Sequence, residues 1–413
     1  MLKLFNTLTR KKEVFKAIED NKVGLYTCGP SVYTTPHIGN YRTYLFEDVL
    51  KRYLLYKGYK VKHVMNITDV EDKTIRTVKK EKKSLKELTK FYSKVFFDGA
   101  KTLCILPADT YPRATEHVKD MVKLISKLLE KGYAYKWNDG NIYYNISKFK
   151  DYGELSRLRI KKEMPKRKIW KDDYNKWEAG DFILWKSYRK SDGNTFWITK
   201  LGKGRPGWNI ECSAMSMRYL GKHFDIHIGG VDNIFSHHEN EIAQSEGATD
   251  KKFVNYWLHS KHLMVNGKKM SKSLGNYYTL NDLLKLGFDP MVIRYVLIST
   301  HYRRRLNFTF KKIRKAKAEI KRYYRCMNKV KELKNERYNK RLSQLVKKVN
   351  KKFEHAMDDD LNTTKAINDY CKFICKLYKL AKKGKLELGE KNKEEITQVV
   401  KKINSVFGFL LPC

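Results

Sequence analysis

The chain has 413 residues, 41% of them hydrophobic and 13% aromatic, which excludes a disordered basic tail and leaves core enough for about two to three domains. Lys and Arg number 87 against 45 Asp and Glu, a net charge of +42 that points to a polyanionic partner, most simply nucleic acid, although a lysine-rich composition throughout would account for part of it. No signal peptide precedes Lys11 and Lys12, no apolar run is long enough to span a bilayer, and seven irregularly spaced cysteines suit reduced thiols, so a cytoplasmic protein with no membrane partner is expected.

Residues 23–28 read as a short buried strand stopped by Gly29 and Pro30. Next comes Pro36-His37-Ile38-Gly39-Asn40. Pro36 suits the first turn of a helix, His37 then stands at a helix N-terminus, where phosphate is attracted, and Gly39 lets a flat ligand lie against the backbone. Residues 44–54 have helical spacing, and residues 60–68 read as a second strand. Strand, helix, strand builds a parallel sheet whose ligands bind beyond the carboxyl ends of the strands, where Cys28 and Thr68 fall.

A helix is predicted over 115–131, capped by Thr115 and stopped at Gly132. Residues 132–200 are irregular and β-like, an insertion that splits the sheet, with an exposed charged run over 161–171. The sheet resumes near Gly202, with a helix over 210–217, a buried strand over 224–230, then Asp232 and a helix over 237–246. Residues 258–265 lead to a loop, 266–276, in which Lys269 and Lys272 alternate with Ser271 and Ser273 between two glycines. Such lysines can converge on a polyanion, with the serines as donors; the plain alternative is a solvated basic loop. After Gly275 the chain reads as entirely helical, with Asp289 and Pro290 as one helix start and Lys-rich amphipathic helices to Val406. Residues 301–413 alone carry a net charge of +20, which favours a nucleic-acid surface there.

His237 and Glu241 are four apart, on one face of a helix. Together with Cys28 and Cys212 they could complete a four-coordinate zinc site, although no CxxC pair is present. Buried apolar cysteines and a surface helix pair are the alternatives, and His238 and Glu239 are competing ligands. Cys371 and Cys375 are one helical turn apart in an amphipathic pattern with Phe373 and Leu377, which suits core packing better than a metal. Asp358-Asp359-Asp360 has the look of a Mg²⁺ cluster.

Residues 36–40 and 269–273 resemble the two signature motifs of class I aminoacyl-tRNA synthetases, written HIGH and KMSKS; the second is matched letter for letter and the first ends in Asn40 in place of His. Cys28-Gly29-Pro30, residues 204–215, Asp225-Ile226-His227, residues 237–246 and His301-Tyr302-Arg303 extend the similarity, in order and over nearly the whole chain, to the cysteinyl-tRNA synthetase family. The resemblance implies an α/β fold: a Rossmann-like parallel-sheet catalytic domain in two halves (1–110 and 201–285) around an inserted connective subdomain (111–200), then an α-helical bundle (286–413) that binds tRNA. It implies Zn²⁺ held by Cys28, Cys212, His237 and Glu241, and Mg²⁺ accompanying ATP. Gly29, Thr68, Trp208 and His227 would line the amino-acid pocket. His37, Gly39, Asn40, Asp232, Lys269 and Lys272 would bind ATP, with His37, Lys269 and Lys272 catalytic. The implied substrates are L-cysteine, ATP and cysteine tRNA, and a monomer is expected. The acidic stretch at 358–363 occurs in the family's helical domain and is given no catalysis.

The chemistry is coherent, because cysteine and serine differ mainly in S versus O and a thiophilic zinc can separate them where a cavity cannot. Discrimination of 10⁴-fold needs about 5.6 kcal/mol, more than one ordinary hydrogen bond supplies. Members of the family usually continue into a small anticodon-binding domain, for which residues 408–413 leave little room, so anticodon reading is expected to be weak. Two rival readings remain: a ligase joining cysteine to a small amine, as in mycothiol biosynthesis, which has no need of the +20 domain, and a catalytically silent tRNA-binding paralogue, against which the intact lysine loop and zinc ligands argue.

Overall fold

The computed structural model describes residues 1–159, 168–172, 174, 179–271, 273–332, 337–382 and 388–409. Lys272, most of the charged run expected as an exposed loop over 161–171 and the last four residues lie outside the described residues.

The first part of the chain runs through β1 (Lys3–Asn6), β2 (Lys11–Val14), β3 (Lys22–Thr27), α1 (Ile38–Tyr56), β4 (Lys60–Met65), α2 (Asp72–Glu81), α3 (Leu85–Thr102) and α4 (Val118–Glu130). Short strands follow, β5 (Ala134–Lys136), β6 (Ile142–Tyr144), β7 (Lys168–Ile169), β8 (Asp181–Ser187), β9 (Trp197–Thr199) and β10 (Gly202–Pro206). Then come α5 (Trp208–Leu220), β11 (Phe224–Gly230), α6 (Glu239–Thr249), β12 (Val254–Ser260), β13 (Leu263–Val265) and β14 (Lys268–Lys269). The last part holds α7 (Leu280–Lys285), α8 (Pro290–Ile298), β15 (Leu306–Phe308), α9 (Phe310–Glu332), α10 (Lys340–Asp358), α11 (Thr363–Lys382) and α12 (Glu390–Phe407).

The central sheet has the order β12-β11-β3-β4, parallel throughout. Its inner strands are buried on both faces, which is why they read as apolar runs rather than as alternation. Register places Leu25 beside Ile226 and Tyr26 beside His227, so the ends of β3 and β11 meet at one point. A second, largely antiparallel sheet, β5-β6-β8-β10-β9, lies between the two halves in sequence and packs its own core of Tyr144, Phe182, Leu184 and Trp185 with α4 and α5. The core over α1 continues without a break through α8 to α12, so the helical part shares one apolar interior with the sheet.

The α/β class expected from the sequence holds, and several local expectations need correction. Thr115 does not cap a helix: it lies in a short 3₁₀ turn (Ala114–Glu116), and its backbone N–H and hydroxyl both donate to Asp69. A cap hydroxyl accepts from a backbone N–H two or three residues on, whereas the Thr115 hydroxyl is spent donating to a carboxylate distant in sequence. β3 keeps the expected length but is shifted one residue earlier, so that Cys28 falls just beyond it at the cleft, and β4 ends at Met65, three residues short of the expected 60–68. The part after Gly275 is not wholly helical, since β15 joins β13 in parallel. Asp289 does cap α8, accepting from the N–H groups of Met291 and Val292 with Pro290 in the first turn.

Candidate active site

The site lies where β3 and β11 end. Cys28 follows β3, and its N–H donates to the Ile228 carbonyl. Gly29 is packed against backbone: a Cβ there would lie 1.7 Å from the Asn66 carbonyl oxygen. Its N–H donates to the Asn66 side chain, whose amide in turn donates to the Thr68 hydroxyl. The Thr68 backbone closes the other side, donating to the Pro30 carbonyl. One glycine therefore locks the two strand ends together beneath Cys28.

Cys212 comes from α5, while His237 and Glu241 come from a wide turn (Ile234–His238) and the start of α6. Single ligand atoms of Cys28, Cys212, His237 and Glu241 all lie within 4.8 Å of one another. His237 Nδ1 lies 2.9 Å from Asn209 Oδ1 and must donate to it, so neutral His237 presents the bare Nε2 lone pair. That lone pair lies 3.1 Å from Glu241 Oε1, a buried oxygen that accepts no hydrogen bond. Two electron pairs facing each other across a buried gap, with two thiols beside them, form a seat for a cation. The Cys28 thiol is drawn down by its hydrogen bond with Cys212, but burial and Glu241 leave it above its ordinary value. Burial pushes the Cys212 thiol well up, and Cys28 adds to it. Burial works to lower His237, while Cys212 and Glu241 draw it above its usual value. A bound dication would reverse these shifts, because it stabilises thiolate and neutral imidazole.

A second set, Cys28, His227, His238 and Glu241, satisfies the same distance limit. His238 Nε2 lies 3.2 Å from Cys28 Sγ, and its Nδ1 lies 2.7 Å from His259, which reaches Thr7. Burial holds both His238 and His259 well below the usual imidazole range. His227 is fully buried beneath the cluster, with Nε2 2.8 Å from Glu241 Oε2 and its ring stacked on Trp257. Glu239, the other competing ligand, is occupied elsewhere by the N–H groups of Gly153 and Ser156. Trp208 opens α5 and stacks on His237, ring centres 4.1 Å apart.

The cleft above encloses about 270 Å³, and its wall includes Cys28, Gly29, His37, Asn40, Asp232 and Lys269. His37 caps α1: its Nδ1 accepts from the Asn40 N–H, while the Asn40 side-chain oxygen accepts from the His37 N–H. This reciprocal box fixes the tautomer, so Nε2 carries the proton. Burial holds His37 below the usual imidazole range, so near neutral pH it is an uncharged donor. Gly39 is needed, since a Cβ there would lie 2.8 Å from the His37 ring. Asp232 pairs with His262 at 3.0 Å. Lys269 ends β14, and Asn276 closes the loop behind it, accepting from the Ser271 N–H and donating to the Lys269 carbonyl.

Sequence reasoning did not single out Asn209, His259, His262 or Asn276. Asn209 could have been suspected as the partner a ligating histidine needs; the others carry no local signal.

A parallel sheet with a phosphate-attracting helix start on one side and a lysine loop on the other defines a nucleotide-using enzyme of the class I synthetase type. Residues 14–318 match the family model described as the tRNA synthetases class I (C) catalytic domain. The chain is 47% identical over 410 residues to the cysteine--tRNA ligase of Brachyspira hyodysenteriae, covering 98% of this chain and 85% of that one. It is 46% identical to that of Chlamydia felis and 43% to that of Protochlamydia amoebophila, covering 99% of this chain and 86% of each. Among solved structures, a Mycobacterium tuberculosis methionyl-tRNA synthetase superposes with a TM-score of 0.68 at 14% identity, over 94% of this chain and 90% of its own. A leucyl-tRNA synthetase of Agrobacterium radiobacter superposes with a TM-score of 0.68 at 12% identity, over 96% and 85%. These two share the fold alone. The chain belongs to the class I (C) tRNA synthetase family, and the curated relatives it matches at 43–47% identity are cysteine--tRNA ligases.

Proposed function

We propose that this enzyme activates cysteine with ATP to cysteinyl-adenylate and transfers the cysteinyl group to the 3′ end of cysteine tRNA. The observation that carries the reading is the meeting of two thiols, an imidazole and a carboxylate within 4.8 Å at the floor of the cleft that His37 and Lys269 border. Cys28, Cys212, His237 and Glu241 would hold Zn²⁺, with Asn209 orienting His237. Bound there, zinc would supply a thiophilic Lewis acid that prefers the sulfur of cysteine to the oxygen of serine. Gly29 and Thr68 shape the pocket wall, Trp208 packs against His237, and His227 orients Glu241 from below.

In activation, a carboxylate oxygen of cysteine attacks the α-phosphorus of ATP and pyrophosphate leaves. His37 Nε2–H donates to the phosphates, Asn40 offers its amide NH₂ group beside it, and Lys269 and Lys272 neutralise charge that grows on them. Gly39 admits the nucleotide, and Asp232 with His262 borders it. Mg²⁺ accompanying ATP would neutralise the outer phosphates. The basic helices from α8 onward take the RNA, in a cytoplasmic monomer.

Metal analysis and pyrophosphate exchange test this together. Purified protein is expected to hold about one zinc per chain, and Cys212→Ser to lose both the metal and cysteine-dependent exchange. Metal-free wild type exchanging at full rate would overturn the zinc assignment. Exchange without charging of cysteine tRNA would overturn the choice of acceptor.

A further inference from the structure

The loop that carries Lys269 ends on the turn that carries His37. Asn276 ties the loop to itself, accepting from the Ser271 N–H at 2.8 Å and donating to the Lys269 carbonyl at 3.1 Å. The next three residues run along the start of α1. The Tyr278 carbonyl accepts from the Ile38 N–H at 3.0 Å, and Thr279 forms an antiparallel bridge with His37 before it caps α7. Tyr277 sets its ring edge-on to the His37 imidazole, with ring centres 5.3 Å apart and planes at 86°. On the leading side of the loop, Met270 reaches Gly39: its Cε lies 3.4 Å from where a Cβ of Gly39 would stand. Both limbs of the loop are thus seated on residues 37–39.

The imidazole needs such support. The bond from the Asn40 N–H to Nδ1 holds one ring atom and fixes which nitrogen carries the proton. One bond does not stop a ring from turning, because the χ2 well of histidine is broad, and Nε2 on the far side of the ring is displaced by any such turn. Among the described residues, Tyr277 is the aromatic side chain that meets this ring. Edge-to-face contact is an arrangement that two rings prefer, so it favours one setting of the imidazole. The contact also helps to cover the ring, and burial is what keeps His37 below the usual imidazole range. Alignment matters for a donor to phosphate: losing one donor costs about 10²–10³-fold in rate, and a misplacement of about 1 Å can cost about 10²-fold.

We propose that Tyr277 is a positioning residue for cysteine activation, its ring holding the His37 imidazole with Nε2–H turned toward the phosphates of ATP. The inference rests on the reading of His37 as a phosphate donor. Tyr277 acts through the imidazole, by the ring and not by the hydroxyl, so phenylalanine would serve in its place. Tyr277 follows Asn276 directly, and Asn276 is bonded to the Lys269 carbonyl, so the ring arrives at His37 together with the loop that brings Lys269. The donor on α1 and the lysine on β14 are therefore set in place by one event. A loop that lifts away withdraws Lys269 and frees the imidazole in the same movement.

The test is a double-mutant cycle on the full-length, zinc-loaded protein, read by cysteine-dependent pyrophosphate exchange. Tyr277→Ala is expected to lower kcat about tenfold, less than loss of the whole donor, while the KM for cysteine stays within about twofold. Tyr277→Phe restores kcat to within about twofold of wild type. His37→Asn lowers kcat by about 10²-fold, and adding Tyr277→Ala to it costs less than about twofold more, because the imidazole that Tyr277 serves is gone. A residue that merely supported the fold would cost the same in both backgrounds. Tyr277→Ala exchanging at the wild-type rate, Tyr277→Phe as slow as Tyr277→Ala, or a full tenfold loss repeated in the His37→Asn background each overturn the proposal. His37→Asn exchanging at the wild-type rate overturns instead the reading of His37 beneath it. Should Tyr277→Ala fail to fold, Tyr277→Leu, which keeps an apolar side chain but no ring, runs the same cycle with the same expected outcomes.

Discussion

Gly29 sits where a methyl group has no room: its Cβ would fall 1.7 Å from the Asn66 carbonyl and 2.9 Å from Met65 Cγ, and backbone cannot move aside as a flexible side chain can. Gly29→Ala is therefore expected to push Cys28 out of the cluster, with at least a tenfold loss in kcat/KM for cysteine in pyrophosphate exchange; an unchanged value would mean that the segment 66–68 gives way. Buried charge is just as local. His63 on β4 is buried, hydrogen-bonded to Thr27, and held down to about 3 by burial and then by Lys51. Its folded pKa lies below its unfolded one, so its contribution to stability is intact above about pH 6.5 and is lost as the pH falls toward 3. His63→Asn should make the dependence of unfolding free energy on pH, measured between pH 6 and 4, shallower by up to about 1.4 kcal/mol per pH unit. A slope equal to that of wild type would assign the acid sensitivity to other buried histidines.

Among the elements, α8 is held by one buried cation as well as by its apolar face. Arg294 is fully buried and donates to the Phe407 carbonyl at 2.6 Å, the Leu103 carbonyl at 2.8 Å, the Cys104 carbonyl at 3.0 Å and the Asp48 carboxylate. It thereby ties α1, α8 and α12 together. Arg294→Leu strips Asp48 of a buried partner and takes the donor from the Phe407 and Leu103 carbonyls, while the Cys104 carbonyl keeps Arg52, so a loss of about 3–5 kcal/mol in urea unfolding is expected. A loss below about 1 kcal/mol would mean that Arg52, which also pairs with Asp48, carries the charge unaided. Elements of this size were largely legible. The strand over 224–230 and the Asp289 cap follow from apolar runs and local cap chemistry, which short windows contain. What could not be read was set by distant partners: Thr115 is taken by Asp69, β15 exists only because β13 lies beside it, and the Asn40 amide serves a helix cap besides standing where the motif has histidine. Spacing proposed Cys28, Cys212, His237 and Glu241 as one group with His238 as a competing ligand, and the fold brings the four within 4.8 Å; it could not foresee that His227 joins His238 beside Cys28 and Glu241.

At the scale of the whole molecule, about half of the net charge of +42 lies in residues 301–413. RNA held there by its phosphates releases condensed counterions, so the KM for tRNA is expected to rise steeply with salt while the KM for cysteine in exchange barely moves. Parallel salt dependences would place the RNA contacts elsewhere. That region is also joined to the chemistry by a strand. β14, which carries Lys269, pairs with β13, and β13 pairs in parallel with β15, the segment that leads straight into α9. The lysine loop thus hangs on a lever whose far arm is the basic helical bundle. A lever works in both directions: whatever factor bound tRNA imposes on the affinity for ATP, ATP must return in equal measure on the affinity for tRNA.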